Sequence, residues 1–201
     1  KIADRILALN IERKKLGAEA QIVADSQIRE NLPRFSNKIA YVKSEKINRG
    51  VTGIVAGKLS SMLKLPSIVI GQIDGDLFRA SLRSISGVDL QNILDYCNSK
   101  IQGGLFEKYG GHSEAAGFSI KKENLPILEK ALEEYASYLE IPENAKSEIS
   151  IDAELPFEYM SPELLNLVDS FEPFGQGNPN LKFLVINAKI ISADVMGKTE
   201  V

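Results

Sequence analysis

The chain has 201 residues, of which 44% are hydrophobic and 25% charged, and its formal net charge is -3 at pH 7. Disorder is disfavoured, and no apolar run approaches the roughly 20 residues that cross a bilayer, so we expect a soluble, cytoplasmic protein. The single cysteine, Cys97, excludes internal disulfides, and the single histidine, His112, excludes histidine-rich metal sites. The acidic balance argues against a broad positive field, so any contact with nucleic acid must be local.

A long connecting helix is predicted for residues 1–32. Apolar residues recur there at helical spacing before Pro33, and they are Ile2, Ile6, Leu9, Leu16, Ala20 and Val23. Position 1 opens inside this pattern, without a cap residue or a secretory signal. We therefore interpret the chain as a fragment.

An α/β domain is predicted for residues 33–142, because short apolar strands alternate with amphipathic helices. The predicted strands lie at 38–43, 67–70 and 77–84, and the predicted helices follow Gly50 and span Leu90 to Ile101 and Leu125 to Leu139. These elements indicate a mixed sheet covered by helices.

Residues 143–201 are predicted to begin a second, truncated β domain. The pattern changes there to a strand at 148–153, a short helix after Ser161 and a strand pair near 181–195. A loop of turn-forming residues with two aromatic side chains, 171–179, lies between the helix and the strand pair. Its aromatics could stack on bases or pack between domains.

Two arginines and a serine share one face of the strand at 77–84. Strand alternation places Arg79, Ser81 and Arg83 on the same side. Guanidinium groups are forked donors that match phosphate oxygens, so this face is built like an anion site. An exposed face whose arginines pair with nearby glutamates explains the pattern equally well, and periodicity leaves both hypotheses open.

Adjacent glycines precede the only histidine. Gly110 and Gly111 can adopt positive φ angles and expose backbone N–H groups in an anion-binding nest, to which His112 would add a hydrogen bond or a charge. A tight turn into a strand is the alternative. His112 has no second histidine or cysteine nearby, so it is a poor metal ligand but a reasonable phosphate contact.

The ordered motifs resemble the RecJ branch of the DHH phosphoesterase family, and the matches cover nearly the whole chain. The motifs are Leu-Asn-x-x-Arg-Lys at 9–14, Gly-Val-x-Gly-Ile-Val-Ala at 50–56, Ser-x-Arg-Ser at 81–84, a Gly-Gly-His-x-x-Ala-Gly type at 110–117 and Pro-Phe-Gly-x-Gly-Asn-Pro at 173–179. The resemblance implies a DHH-associated α/β domain followed by the start of an OB-fold.

The resemblance also implies a function. The parent protein would be a single-stranded-DNA-specific 5′ to 3′ exonuclease of DNA repair and recombination. Mn2+ or Mg2+ would be held by a missing N-terminal DHH domain of the same chain, so this fragment would hold no metal and be inactive alone. By this resemblance Ser81, Arg83 and Ser84 would hold the DNA backbone or its 5′ end, while His112 and the backbone of Gly110 and Gly111 would face the substrate phosphate. Arg79, which strand alternation places on the face of Arg83, is a further expected DNA contact.

Asn48 and Arg49 depart from the family pattern, which often has a histidine just before the Gly-Val start. Two further hypotheses stay open. The chain could be a stand-alone nucleic-acid-binding or protein-interaction module, or part of a DHH-family phosphoesterase acting on nano-RNA. The loop at 173–179 counts against nano-RNA enzymes.

Overall fold

The computed structural model describes residues 2–142, 150–175, 177–189 and 191–193. The chain divides into two compact units, Lys1–Lys146 and Ser147–Val201. The predicted fold class, an α/β domain with a long N-terminal helix, is confirmed. The predicted domain limits at 32/33 and 142/143 stay predictions.

The first unit is a five-stranded mixed sheet with helices on both faces. Its helices are α1 (Ile2–Arg34), α2 (Thr52–Leu63), α3 (Leu90–Asn98) and α4 (Leu125–Tyr138), and its strands are β1 (Ala40–Ser44), β2 (Ser67–Asp74), β3 (Leu77–Arg83), β4 (Lys108–Gly111) and β5 (Ala115–Lys121). The strand order is β1-β2-β3-β5-β4. Strands β1 and β2 are parallel, and the other pairs are antiparallel.

Two hydrophobic cores lie on opposite faces of this sheet. Helices α3 and α4 cover one face along its whole width, where their side chains pack on residues such as Ile68, Phe78, Leu82 and Phe118. Helices α1 and α2 cover the other face over β1 and β2, around Val42 and Val69, and α2 also packs against β3. Within the first unit, the part of that second face formed by β5 and β4 is left largely open, and α2 borders it at β3.

Helix α1 differs from its predicted pattern at its start. Ala20 and Ala24 are buried as a helical stripe requires, but Ile2, Ile6 and Leu9 are 79%, 62% and 55% exposed. The described residues bring no apolar surface to these first turns, because α1 meets the core only from about Leu16 onward. Proline is accommodated in the last turn, so the helix ends one residue beyond it.

A buried carboxylate joins α1, β1 and α4. Glu129 of α4 accepts a hydrogen bond from the Tyr41 hydroxyl at 2.9 Å, and it forms ion pairs with Arg34 at 2.9 Å and with Lys43. Burial raises the pKa of Glu129, but the hydrogen bonds from Lys43, Tyr41 and Arg34 outweigh burial, so the net shift is downward. The carboxylate therefore stays charged at neutral pH.

The second unit contains helix α5 (Pro162–Asp169) and two short parallel strands, β6 (Ala153–Glu154) and β7 (Phe183–Leu184). The helix is where the sequence predicts it, whereas parts of the strands expected at 148–153 and 181–195 fall outside the described residues. The Asn178 amide donates to the carbonyls of Phe171 and Pro173 at 2.9 and 3.1 Å, so the loop is held by its own side chain. No helix in the described ranges has the length and apolarity to cross a membrane.

Candidate nucleic-acid interface

Strand β3 separates its core residues from its candidate site residues. Phe78, Ala80 and Leu82 are at most 2% exposed, whereas Arg79 is exposed and Arg83 is half-buried. Successive side chains of a strand point to opposite faces, so one strand supplies both the core and the candidate site. The predicted common face of Arg79, Ser81 and Arg83 is thus present.

The sheet register extends this face across β5 and β4. Residues that pair across antiparallel strands share a face. The rows are Arg79, Ser119 and Lys108; Ser81, Gly117 and Gly110; and Arg83, Ala115 and His112. His112 joins the last row because its N–H donates to the Ala115 carbonyl at 2.8 Å, which prolongs the β4–β5 ladder. We refer to these three rows as the open face.

The open face has a floor of small residues and a rim of cations. Ala115, Gly117 and Gly110 have little or no side chain. Arg83 and His112 lie at the two sides of one row, separated by two strand spacings, or about 10 Å. A polyanion could therefore approach the backbone between positively charged or hydrogen-bonding groups.

Helix α2 forms the wall of the open face next to β3. A Cβ atom on Gly53 would lie 3.2 Å from Nη2 of Arg83 and 3.6 Å from Oγ of Ser81, and one on Gly57 would lie 4.0 Å from Cγ of Arg83. These two glycines are one helical turn apart and face the strand. Their missing side chains leave the space that the Arg83 side chain occupies.

The Ser81 hydroxyl is held by α2. Oγ1 of Thr52 donates to the Arg49 carbonyl at 3.0 Å and lies 2.8 Å from Oγ of Ser81. Since Thr52 has one proton to give, Ser81 is the donor in the shorter contact. If Ser81 donated to a phosphate instead, the Thr52 hydroxyl would donate its hydrogen bond to Ser81. The Arg49 carbonyl would then accept a hydrogen bond from water.

The two arginines are free of acidic partners in the described part of the chain. Nη1 of Arg83 donates to the Leu82 carbonyl at 2.8 Å, and the ion pairs formed by described residues include neither Arg79 nor Arg83. Of the two hypotheses for this strand, the structure favours unpaired cations over arginines neutralised by glutamates. Their remaining N–H groups are available to an anion.

Ser84 is not brought onto the open face. It lies just beyond β3, where alternation directs it away from the side of Arg83. Its hydroxyl donates to the Val88 carbonyl at 2.6 Å, and its N–H donates to the Glu114 carbonyl at 2.9 Å. Ser84 therefore stabilises the connection from β3 to α3.

Gly110 and Gly111 lie in strand β4 and not in a turn. Their φ angles are 155° and 148°, and the predicted nest, which alternates right- and left-handed residues, is replaced by an edge strand. A Cβ on Gly111 would lie 2.4 Å from the Ala115 carbonyl oxygen and 2.5 Å from Cα of Ala116, so only glycine fits. In this register the N–H of Gly111 points away from β5, toward the edge of the sheet.

Aromatic side chains fix β4 against the sheet and α3. The Phe106 ring stacks on Phe118 with centroids 4.5 Å apart, and the Tyr109 hydroxyl donates to Asp95 of α3 at 3.2 Å. The hydrogen bond to Asp95 raises the pKa of Tyr109. Sequence reasoning missed this anchor, although Tyr109 directly precedes the glycine pair.

Two family models match the chain. The DHHA1 domain model matches residues 36–138, and the RecJ OB domain model matches residues 151–201. The chain belongs to the DHHA1 domain family. The second match, with the relatives below, confirms the resemblance to RecJ.

Similar proteins are much longer than this chain. The single-stranded-DNA-specific exonuclease RecJ of Bacillus subtilis is 31% identical over 189 residues, which are 93% of this chain and 23% of that protein. RecJ of Thermus thermophilus is 29% identical over 90% of this chain and 26% of that protein. A crystal structure of Thermus thermophilus RecJ in complex with Mn2+ has a TM-score of 0.68 and 25% identity, covering 90% of this chain and 25% of that one. The chain thus spans about a quarter of these relatives.

Proposed function

We propose that this chain is the DNA-binding part of a RecJ-like single-stranded-DNA exonuclease, and that its open face completes the catalytic cleft. The observation that carries the proposal is that Arg79 and Arg83, which form no ion pair with another described residue, share a face with His112 around a floor of glycine and alanine. The parent enzyme would hydrolyse phosphodiesters from the 5′ end in DNA repair and recombination. A cytoplasmic location belongs to the same proposal.

The chemistry of the open face suits a phosphodiester backbone. Arg79 and Arg83 are four residues apart on one strand, or about 13 Å, a spacing that suits two separate phosphates. The forked donors of Arg83 would hold the strand or its 5′ end, with Ser81 as a further donor. His112 and the outward N–H of Gly111 would contact the substrate phosphate, which the bare β4 backbone lets approach closely.

Among the described residues, no cluster of side chains suits the metal ions expected in the parent enzyme. Thermus thermophilus RecJ has been crystallised with Mg2+ and with Mn2+. Here His112 is the one histidine, and the described residues contain no group of three or more His, Cys, Asp or Glu side chains that could hold a metal. We propose that an N-terminal DHH domain outside this chain binds the metals. The exposed Ile2, Ile6 and Leu9 support a further domain packing on the start of α1.

A combined binding and cleavage assay tests the proposal. The chain is mixed with 5′-labelled single-stranded DNA, with duplex of the same sequence and with a dinucleotide, each with Mn2+ or Mg2+. We expect binding to the single strand in preference to the duplex, and no hydrolysis. Arg79→Ala/Arg83→Ala should weaken binding, whereas Lys130→Ala, on α4 at the opposite face, should not.

Three results would contradict parts of the proposal. Turnover that scales with protein concentration and is lost in His112→Ala would place catalysis in this chain. Preference for the dinucleotide would favour the nano-RNA hypothesis. A coding sequence upstream of Lys1 without an Asp-His-His string would favour a stand-alone module.

A further inference from the structure

A basic groove lies between α1 and α2, and it is separate from the open face. It has a volume of about 240 Å³, and three of its lining residues are cations, Arg13 and Lys14 of α1 and Lys58 of α2. None of its lining residues is acidic. In a chain whose net charge is -3, this is a local positive site of the kind that a polyanion requires.

The three cations of the groove have no carboxylate partner in the part of the chain that the structure describes. The ion pairs among the described residues include none of them. Nη2 of Arg13 donates to Oδ1 of Asn10 at 2.8 Å, one helical turn earlier. This bond orients the guanidinium and leaves its other N–H groups free to donate. An arginine held in this way loses less rotational freedom when it binds a phosphate.

Gly17 provides a second, independent observation. It lies in the middle of the 33-residue helix α1, where glycine is less stable than alanine. A Cβ at this position would meet no atom within 4 Å, so packing within the described chain does not require glycine. Its missing side chain widens the groove, which is the effect expected where a ligand needs the space.

Helix α2 separates the groove from the open face. Gly53 and Gly57 face Arg83, whereas Ile54 and Lys58, each one residue further along, line the groove. The side chain of Ile54 is 44% exposed and offers an apolar surface to a base or a sugar. A helix is about 10 Å wide, so a single strand could cross α2 and reach both sites.

We propose that the α1–α2 groove is a second phosphate-binding site, which holds the backbone of the same single-stranded nucleic acid after it leaves the open face. The inference rests on the proposed function. It adds that Arg13 and Lys58 lengthen the bound segment, and that the groove recognises phosphodiester oxygens and no particular base.

Oligonucleotides of two lengths test the groove. Fluorescence anisotropy is measured with strands of about 5 and about 25 nucleotides at several salt concentrations, since single-strand sites commonly hold several nucleotides. We expect Arg13→Ala/Lys58→Ala to weaken binding of the long strand about ten-fold at low salt and to reduce its salt slope by about 1.4, or about 0.7 for each lost phosphate contact. Binding of the short strand should stay unchanged, and Lys130→Ala should change neither.

A substitution at Gly17 separates a binding role from a structural one. Gly17→Leu should raise the thermal midpoint, because leucine is the better helix former, and should still weaken binding of the long strand by filling the groove. A variant that is more stable and binds the long strand as well as before would overturn the proposal.

The remaining outcomes distinguish this inference from the proposed function. If Arg83→Ala weakens both strands while the groove variants change neither, the groove is not a binding site but the open face is. If groove and Arg83 variants all bind normally, or the unaltered chain binds no strand at low salt, both proposals fail. Inorganic phosphate is the control ligand, and binding of phosphate as tight as that of the long strand would refute a site for a nucleic-acid backbone.

Discussion

Replacing Glu129 by glutamine removes the charge that joins α1, β1 and α4. The partner side chains of Arg34 and Lys43 are 42% and 38% exposed, so each ion pair contributes only about 0.5–1 kcal/mol. The amide oxygen can still accept from Tyr41. We therefore expect Glu129→Gln to lower the free energy of unfolding of the first unit by about 1–2 kcal/mol.

The buried hydroxyl of Tyr41 allows a sharper test. Glu129→Leu also removes the acceptor of this hydroxyl, which adds about 1–3 kcal/mol of destabilisation. Tyr41→Phe in the same chain removes the unsatisfied donor, so the double variant should be more stable than Glu129→Leu alone. The free energy of unfolding is measured by urea unfolding, followed by far-ultraviolet circular dichroism. The four proteins are the unaltered chain, Glu129→Gln, Glu129→Leu and the double variant.

The effect of Glu129 depends on pH with a defined sign. Because folding lowers its pKa, the carboxylate contributes stability that is fully present above its ordinary value of 4.5 and is lost as the pH falls through the folded-state pKa. The difference in unfolding free energy between the unaltered chain and Glu129→Gln should be constant near neutral pH and should shrink in acid. A difference that persists at pH values well below 4.5, or a double variant no more stable than Glu129→Leu, would refute this account.

Three other predictions concern binding, backbone geometry and reactivity. Arg83→Ala should weaken single-strand binding mainly at low salt and reduce the salt slope by about 0.7–1; an equal loss at all salt concentrations would show that Arg83 contacts no phosphate. Gly111→Ala should destabilise the first unit by about 2 kcal/mol or more, because the new Cβ would overlap the Ala115 carbonyl, whereas Gly110→Ala should cost less since no atom lies within 4 Å of its Cβ; equal unfolding free energies for the two variants would contradict this. Burial raises the pKa of the Cys97 thiol to about 12, so a thiol reagent at pH 8 should modify the folded protein far more slowly than the unfolded chain, and equal rates would show that the site opens readily.

The local pattern predicted which side chains of β3 share a face, but not which strands and which helix lie next to them. Alternation alone placed Arg79, Ser81 and Arg83 on one face, because side-chain direction in a strand has a period of two. The open face also requires β3 to pair with β5 and β4 to lie at the edge of the sheet. This strand order is set by the packing of the whole domain, so it cannot be predicted from one segment. The contact between Thr52 and Ser81 joins residues 29 positions apart and leaves no signal in either segment.

The glycine pair shows the same limit. Adjacent glycines indicate unusual backbone geometry, yet the sequence could not tell a turn from an edge strand, since glycine permits both. The structure shows an edge strand, in which Gly111 lies so close to Ala115 and Ala116 that no side chain fits. The exposed start of α1 escaped prediction for another reason, because periodicity shows that residues share a helix face but not whether another surface covers that face.

The register of β3 against β2 decides which of its side chains reach the open face. A slip of β3 by one position against β2 would exchange its two sides. Both guanidinium groups would then point into the hydrophobic interior, and Phe78 and Leu82 would face water. The open face thus depends on the register of β3 as well as on the residue types that the strand carries.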